Sequence, residues 1–187
     1  ISAQIHHGEN IKDFHPYEDY RISYAANKKL GGGCILDLGC YPMSFSILIN
    51  SLKTKINEKD LKIFNVKKEI GETNVDIDSY TNLSFDHKFI SEIGASFKKK
   101  LGTMSEIRGD KGIIRINNTW LGGNNIIKIK DNNHDLIEIK NHKNIYSYQI
   151  QNISQTISVG AFQPQYPSMT LRETLLNMKA IDEWLNV

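Results

Sequence analysis

The chain is poor in the residues that announce a special class of protein: 187 residues hold two cysteines and four prolines. Cys34 and Cys40 lie six apart, with no CxxC pair and no Cys/His cluster, so a metal site is not expected and two reduced thiols in a cytoplasmic protein is the plain reading. The six histidines show no HExxH or HxH spacing, which again argues against a metal. There is no Gly-x-Ser-x-Gly elbow for a serine hydrolase, no P-loop, and no GxGxxG fingerprint. No apolar run approaches a membrane span and no segment reads as a signal peptide, so a membrane partner is not expected. A net charge of +2 gives no reason to expect nucleic acid either.

What is present is an ordinary globular balance, 40% hydrophobic and 24% charged, enough for one well-buried domain or two small ones. The chain opens on Ile1 in what reads as mid-strand, which points to a piece of a longer protein. After a polar, aromatic stretch around "DFHPYEDYR", an apolar period of three and four links Leu38, Tyr41, Phe45, Leu48 and Leu52 and predicts a helix. Between residues 60 and 140, seven β-branched segments separated by short turn signals predict successive strands. These include "LKIFNVKKEI", "VDIDSYTNLSF" and "GIIRIN". The run Lys98-Lys99-Lys100 reads as a solvated strand edge. Tyr146, Ile150, Ile153 and Ile157 mark another helix face. Thr170 and Glu173 have capping-box spacing ahead of a final stripe of Leu171, Leu175, Met178, Ile181 and Leu185. The expected fold is α+β: an open-faced mixed, mainly antiparallel sheet of six to eight strands with helices on one face. The bare face would take a missing segment or a second subunit.

Chemistry concentrates in "KLGGGCILDLGCYPMSF", Lys29 to Phe45. Gly31, Gly32 and Gly33 fit a structural turn as well as a ligand approach. Asp37, set among apolar neighbours, is either a hydrogen-bonded cap or an acid aimed at a substrate hydroxyl. Tyr41 is either a packed aromatic or a proton donor and acceptor for alcohol–carbonyl chemistry. Its ordinary pKa of about 10 calls for a nearby cation in the second case.

The segment "GGGCILDLGCYPMSFSILI" resembles the GGGxxxDxGxH/Y signature of the glucose–fructose oxidoreductase / inositol dehydrogenase (Gfo/Idh/MocA) family. "YRISYAANKKLGGG", "VDIDSYTNLSFDHKFISEIGASF", "IRGDKGIIRI" and "YPSMTLRETLLNMKAIDEWL" resemble further family segments, in family order. The resemblance implies that residues 1–187 are the C-terminal substrate-binding and oligomerisation domain of an NAD(P)-dependent oxidoreductase. The N-terminal dinucleotide-binding domain, with its Glu-Lys-Pro lysine, is absent from this sequence. It further implies Tyr41 and Asp37 as catalytic residues, with Gly31, Gly32 and Gly33 approaching the cofactor and Arg21 and His15 lining the substrate pocket. NAD or NADP is expected in the full-length protein and none in this chain alone. The expected partners are a sugar-like substrate, the missing domain, and a second copy through the open sheet face. The rival expectations are an isolated or inactive binding and oligomerisation module, and an unrelated α+β ligand-binding domain.

Overall fold

The computed structural model describes residues 1–14, 24–52, 56–85, 88–121, 125–130, 133–138, 144–164 and 166–187. Its strands are β1 (Ser2–Gly8), β2 (Leu61–Ile70), β3 (Asp76–Phe85), β4 (Phe89–Ser96), β5 (Ser105–Gly109), β6 (Gly112–Ile116), β7 (Asn125–Lys130) and β8 (Asn133–Glu138). They form one eight-stranded sheet in the order β2-β3-β4-β1-β5-β6-β7-β8. β1 runs parallel to β4, with Ile5 opposite Ile93, and every other neighbour is antiparallel. The first strand is thus inserted between the two meanders, as a βαβ-type crossover allows and a simple hairpin series does not. Turn chemistry sets the register locally: Gly109 pairs with Gly112, and Asp110-Lys111 close the β5–β6 hairpin.

The helices are α1 (Ile11–Phe14), α2 (Cys34–Asp37), α3 (Cys40–Ser51), α4 (Ile145–Ser158) and α5 (Leu171–Asn186). α2, α3 and α5 pack over one face of β1–β4. The core between them holds Ile5, Ile35, Met43, Ile47, Leu83, Phe85, Ile93, Ile181 and Trp184. α5 begins with the expected capping box: the Thr170 hydroxyl accepts from the Glu173 backbone N–H, and the Glu173 carboxylate accepts from that of Thr170 at 2.8 Å. The α+β architecture agrees with the expectation, as does the placement of α2, α3 and α5 on one face of the sheet.

Two expected faces are corrected. On α3 the buried residues are Pro42, Met43, Ser46, Ile47, Ile49 and Asn50, whereas Tyr41 and Leu52 are exposed and Phe45 and Leu48 are partly covered. The helix is apolar nearly all round, so periodicity could not choose the face. The choice went to the one whose polar member, Ser46, bonds Ser91 of β4 at 2.7 Å. On α5 the core takes Leu176, Ala180, Ile181 and Trp184, leaving Leu171, Leu175 and Met178 in the open. Small Ala180 permits close approach and Trp184 Nε1 donates to the Ser79 hydroxyl at 3.0 Å. The α4 face of Tyr146, Ile150, Ile153 and Ile157 is helical as read, and it is exposed. Nor do Lys98, Lys99 and Lys100 mark a sheet edge. They follow β4, an interior strand, and pair with Glu69, Asp78 and Asp13.

Candidate active site

The glycine triplet leads out of the 3-10 turn Lys28–Leu30, which the Asn27 side chain caps and Gly31 ends in the left-handed region at φ 78°. Gly33 has φ 128° and starts α2. A Cβ on Gly33 would stand 2.5 Å from Oδ1 of Asp76, the carboxylate that accepts the Ile35 backbone N–H at 2.6 Å. Gly33 is therefore required by the fold, because an acid from β3 fills the space its side chain would need and satisfies an otherwise orphaned donor at the start of α2. Asp76 carries no signal of this role in the sequence, since its partner lies 41 residues away. Gly31 is different: only Leu36 Cδ1, at 3.9 Å, comes near its missing Cβ, so its backbone can be approached closely by another molecule.

The path then bends by 48° between Lys28–Asp37 and Cys40–Ser51. Pro42 sits within the first turn of α3, where a missing N–H costs little. Asp37 closes α2 and Tyr41 opens α3, so the two lie on consecutive turns either side of the bend. The Asp37 carboxylate is half-buried, makes no hydrogen bond or ion pair among the described residues, and has its pKa raised by burial. Such an acid can accept a hydrogen bond from a hydroxyl brought to it. Cys40 beside it is a thiol pushed up by burial and then by the Asp37 charge, and Cys34 is pushed up by burial first and Asp76 second. Both cysteines are free.

Tyr41 is 49% exposed, but its ring is held. His7, at the end of β1, stands perpendicular to it with centroids 5.2 Å apart, and Trp120 lies 6.0 Å away. Trp120 also contacts His7 at 5.2 Å and Phe45 at 6.2 Å, and its Nε1 donates to the His6 carbonyl at 2.9 Å. A cleft of about 290 Å³ continues one helical turn beyond Tyr41, lined by Ser44, Phe45, Leu48, Trp120, Met169 and Glu173 among others. The apolar stripe of α3 thus lines an opening instead of the core. The sequence reading missed His7 and Trp120. A histidine pair on a strand has no spacing that points to a tyrosine 34 positions on, and only the β1–α3 packing joins them.

Arg21 and His15 lie outside the described residues. Among the described residues no group of three His, Cys, Asp or Glu side chains could hold a metal ion. Among the described residues the one parallel strand pair is β1 with β4, so no parallel sheet of the mononucleotide-binding kind is found among them.

No family model matches the chain. Among curated proteins it is 26% identical, over 174 residues, to trans-1,2-dihydrobenzene-1,2-diol dehydrogenase of Xenopus tropicalis; the match takes in 90% of this chain and 50% of that protein. The Xenopus laevis enzyme of the same name is 25% identical over 89% of the chain. The fold recurs in aldose-aldose oxidoreductase from Caulobacter crescentus, complexed with glycerol, at a TM-score of 0.76 and 17% identity over 99% of this chain and 52% of that one. It recurs also in a variant of KijD10, a 3-ketoreductase from Actinomadura kijaniata in complex with TDP-benzene and NADP, at a TM-score of 0.76, 15% identity and 99% and 53% coverage. The chain spans about half the length of the curated relatives it matches, and the matched half is the C-terminal one.

Proposed function

Because the chain is related to the Gfo/Idh/MocA oxidoreductases, we propose that residues 1–187 are the C-terminal, substrate-binding half of an NAD(P)-dependent oxidoreductase acting on a carbinol carbon of a sugar, polyol or diol. The observation that carries this reading is the sequence match over 90% of the chain, together with the open aromatic site around Tyr41. In the direction of oxidation the Tyr41 phenolate takes the proton of the substrate hydroxyl, and in reduction the Tyr41 phenol gives it back. Asp37 accepts a hydrogen bond from a substrate hydroxyl and fixes its orientation. Gly31 and Gly32 let the main chain form one wall beside the nicotinamide. That cofactor, bound chiefly by the N-terminal half, supplies or accepts the hydride. A lysine of that half would hold the tyrosine's pKa down.

Expression of the longer protein tests the reading. Alcohol-dependent reduction of NAD or NADP is expected, and Tyr41→Phe should lower kcat by roughly 10²–10⁴-fold. Full activity in Tyr41→Phe removes the assignment. Alcohol binding without turnover in the wild type would favour a binding module instead. We also infer self-association through the sheet face opposite the helices. There a shallow pocket is lined by Ser2, Gln4, Ile90, Glu92, Glu106 and Arg108, a mixed-charge surface suited to a second copy. Light scattering of Arg108→Glu against wild type reads that inference directly.

A further inference from the structure

Cover over the helix-bearing face of the sheet stops at α3, and the step leaves a groove. Registered neighbours on adjacent strands point to the same face, so Ala3, Ile107, Ile114 and Lys128 form one row across β1, β5, β6 and β7 on the side that α3 covers. Along that row Ala3 is buried, Ile107 is partly covered, Ile114 is 40% exposed and Lys128 is exposed. From α3 the groove takes Ile49 and, at the helix end, Leu52, which is 62% exposed. With Ile1 these side chains line a cavity of about 340 Å³. A benzene-sized ring occupies roughly 150 Å³ in a protein interior, so the groove has room for about two large apolar side chains.

Ile1 decides what fills it. Its backbone continues the β1–β4 ladder: the Ile90 N–H donates to the Ile1 carbonyl at 3.1 Å, and the Ile1 nitrogen donates to the Lys88 carbonyl at 2.9 Å, a bond that an amide there would keep. The atom through which a preceding residue is joined is thus pinned at the wall of the groove. A segment tethered at that point meets the groove at an effective concentration of roughly millimolar, and it gives up less freedom on docking than a free partner does. We propose that the residues directly preceding Ile1 in the longer protein lay an apolar face in this groove, forming a further layer beside α3 over β5 and β6. The occupant is a segment of the same polypeptide, and it directs two large apolar side chains towards Leu52 and Ile114. The proposal rests on the reading of residues 1–187 as the later half of a longer chain. It concerns a different place from the candidate active site, because Ile1 and His7 stand at opposite ends of β1, about 20 Å apart along an extended strand.

Thiol labelling tests this in residues 1–187, in the chain extended upstream by its natural sequence over about one helix length, on the order of 15 residues, and in the chain extended by the whole N-terminal half. Leu52→Cys and Ile114→Cys report on the groove, and Ile70→Cys, 54% exposed on the edge strand β2, is the control. Burial raises the pKa of both native thiols, so the unsubstituted chain supplies a slow background. The short extension should slow labelling at Leu52→Cys and Ile114→Cys by at least about tenfold and leave Ile70→Cys unchanged. Hydrogen exchange of the unsubstituted chains should show the same gain of protection in β5 and β6, free of any effect of the substitutions. Unchanged rates in both extended chains overturn the proposal, as does slowing that needs the whole N-terminal half, which would place a remote surface in the groove. Labelling of residues 1–187 that slows with protein concentration overturns it too, because a second copy would then be the occupant. Cofactor turnover by the longest chain is read separately: a groove that stays open in an active enzyme sinks this proposal alone, and a covered groove in a chain without turnover sinks only the oxidoreductase reading.

Discussion

Gly33 illustrates how a single residue can carry two explanations until its neighbours are seen. The triplet invites a ligand-based reading, yet the space a Gly33 side chain would fill belongs to the Asp76 carboxylate. Gly33→Ala therefore combines a strained φ of 128° with displacement of the group that accepts the Ile35 N–H, and should cost about 2–4 kcal/mol of stability. Gly31→Ala strains the backbone at φ 78° but meets only Leu36, so about 1 kcal/mol is expected there. Urea unfolding of both variants, and of Gly33→Ala in an Asp76→Ala background, separates the two contributions. The second substitution should be markedly less costly once the carboxylate is gone. Equal costs in both backgrounds would mean that Asp76 is not what Gly33 accommodates. Gly31, by contrast with Gly33, has open surroundings, with only Leu36 Cδ1 near its missing Cβ.

At the scale of elements, the strands were legible because β-branched residues and turn signals are local properties. β2 coincides with the predicted "LKIFNVKKEI", and the Gly109–Gly112 turn closes the hairpin it was expected to close. The faces of α3 and α5 were not legible, because each helix carries two apolar stripes and period alone does not rank them. What ranks them is tertiary: α5 packs against α3 and β2, Trp184 reaches Ser79 of β3, and Ser46 finds Ser91. Adjacent leucines on α5 make this testable. Leu176, 3% exposed, should cost about 2–5 kcal/mol when changed to alanine, and Leu175, 71% exposed, within about 0.5 kcal/mol. Denaturant midpoints of Leu175→Ala and Leu176→Ala would expose an error in the helix rotation at once, since a reversed order fits only the other face. The candidate site follows the same division. Asp37 and Tyr41 are close in sequence and were readable as a pair, whereas His7, Asp76 and Trp120 reach the site only through the packing of β1, β3 and the β6–β7 connection.

The whole molecule is built unevenly, and that unevenness should govern its motions. Helices cover β1–β4, and the buried core is drawn from those strands together with α2, α3 and α5. Beyond β5 the sheet loses comparable cover among the described residues. Ile114, Leu136 and Ile137 are exposed, as is the apolar face of α4. Local opening depends on how much apolar contact must be broken, so backbone protection should fall along the sheet from β4 and β1 towards β8. Hydrogen exchange followed by mass spectrometry is expected to give the slowest amides in β1, β3 and β4. Those of β7, β8 and α4 should exchange at least about a hundredfold faster, equivalent to roughly 3 kcal/mol less opening free energy. Under the proposed reading, repeating the measurement on a chain extended by the N-terminal half distinguishes two sources of protection. If the N-terminal half covers α4 and the outer stripe of α5, protection should rise there and leave β7 and β8 unchanged. If self-association through the open sheet face dominates, protection should rise with concentration across the sheet and leave α4 as it was. Uniform protection along all eight strands would contradict the uneven core and require cover over β6–β8 in solution.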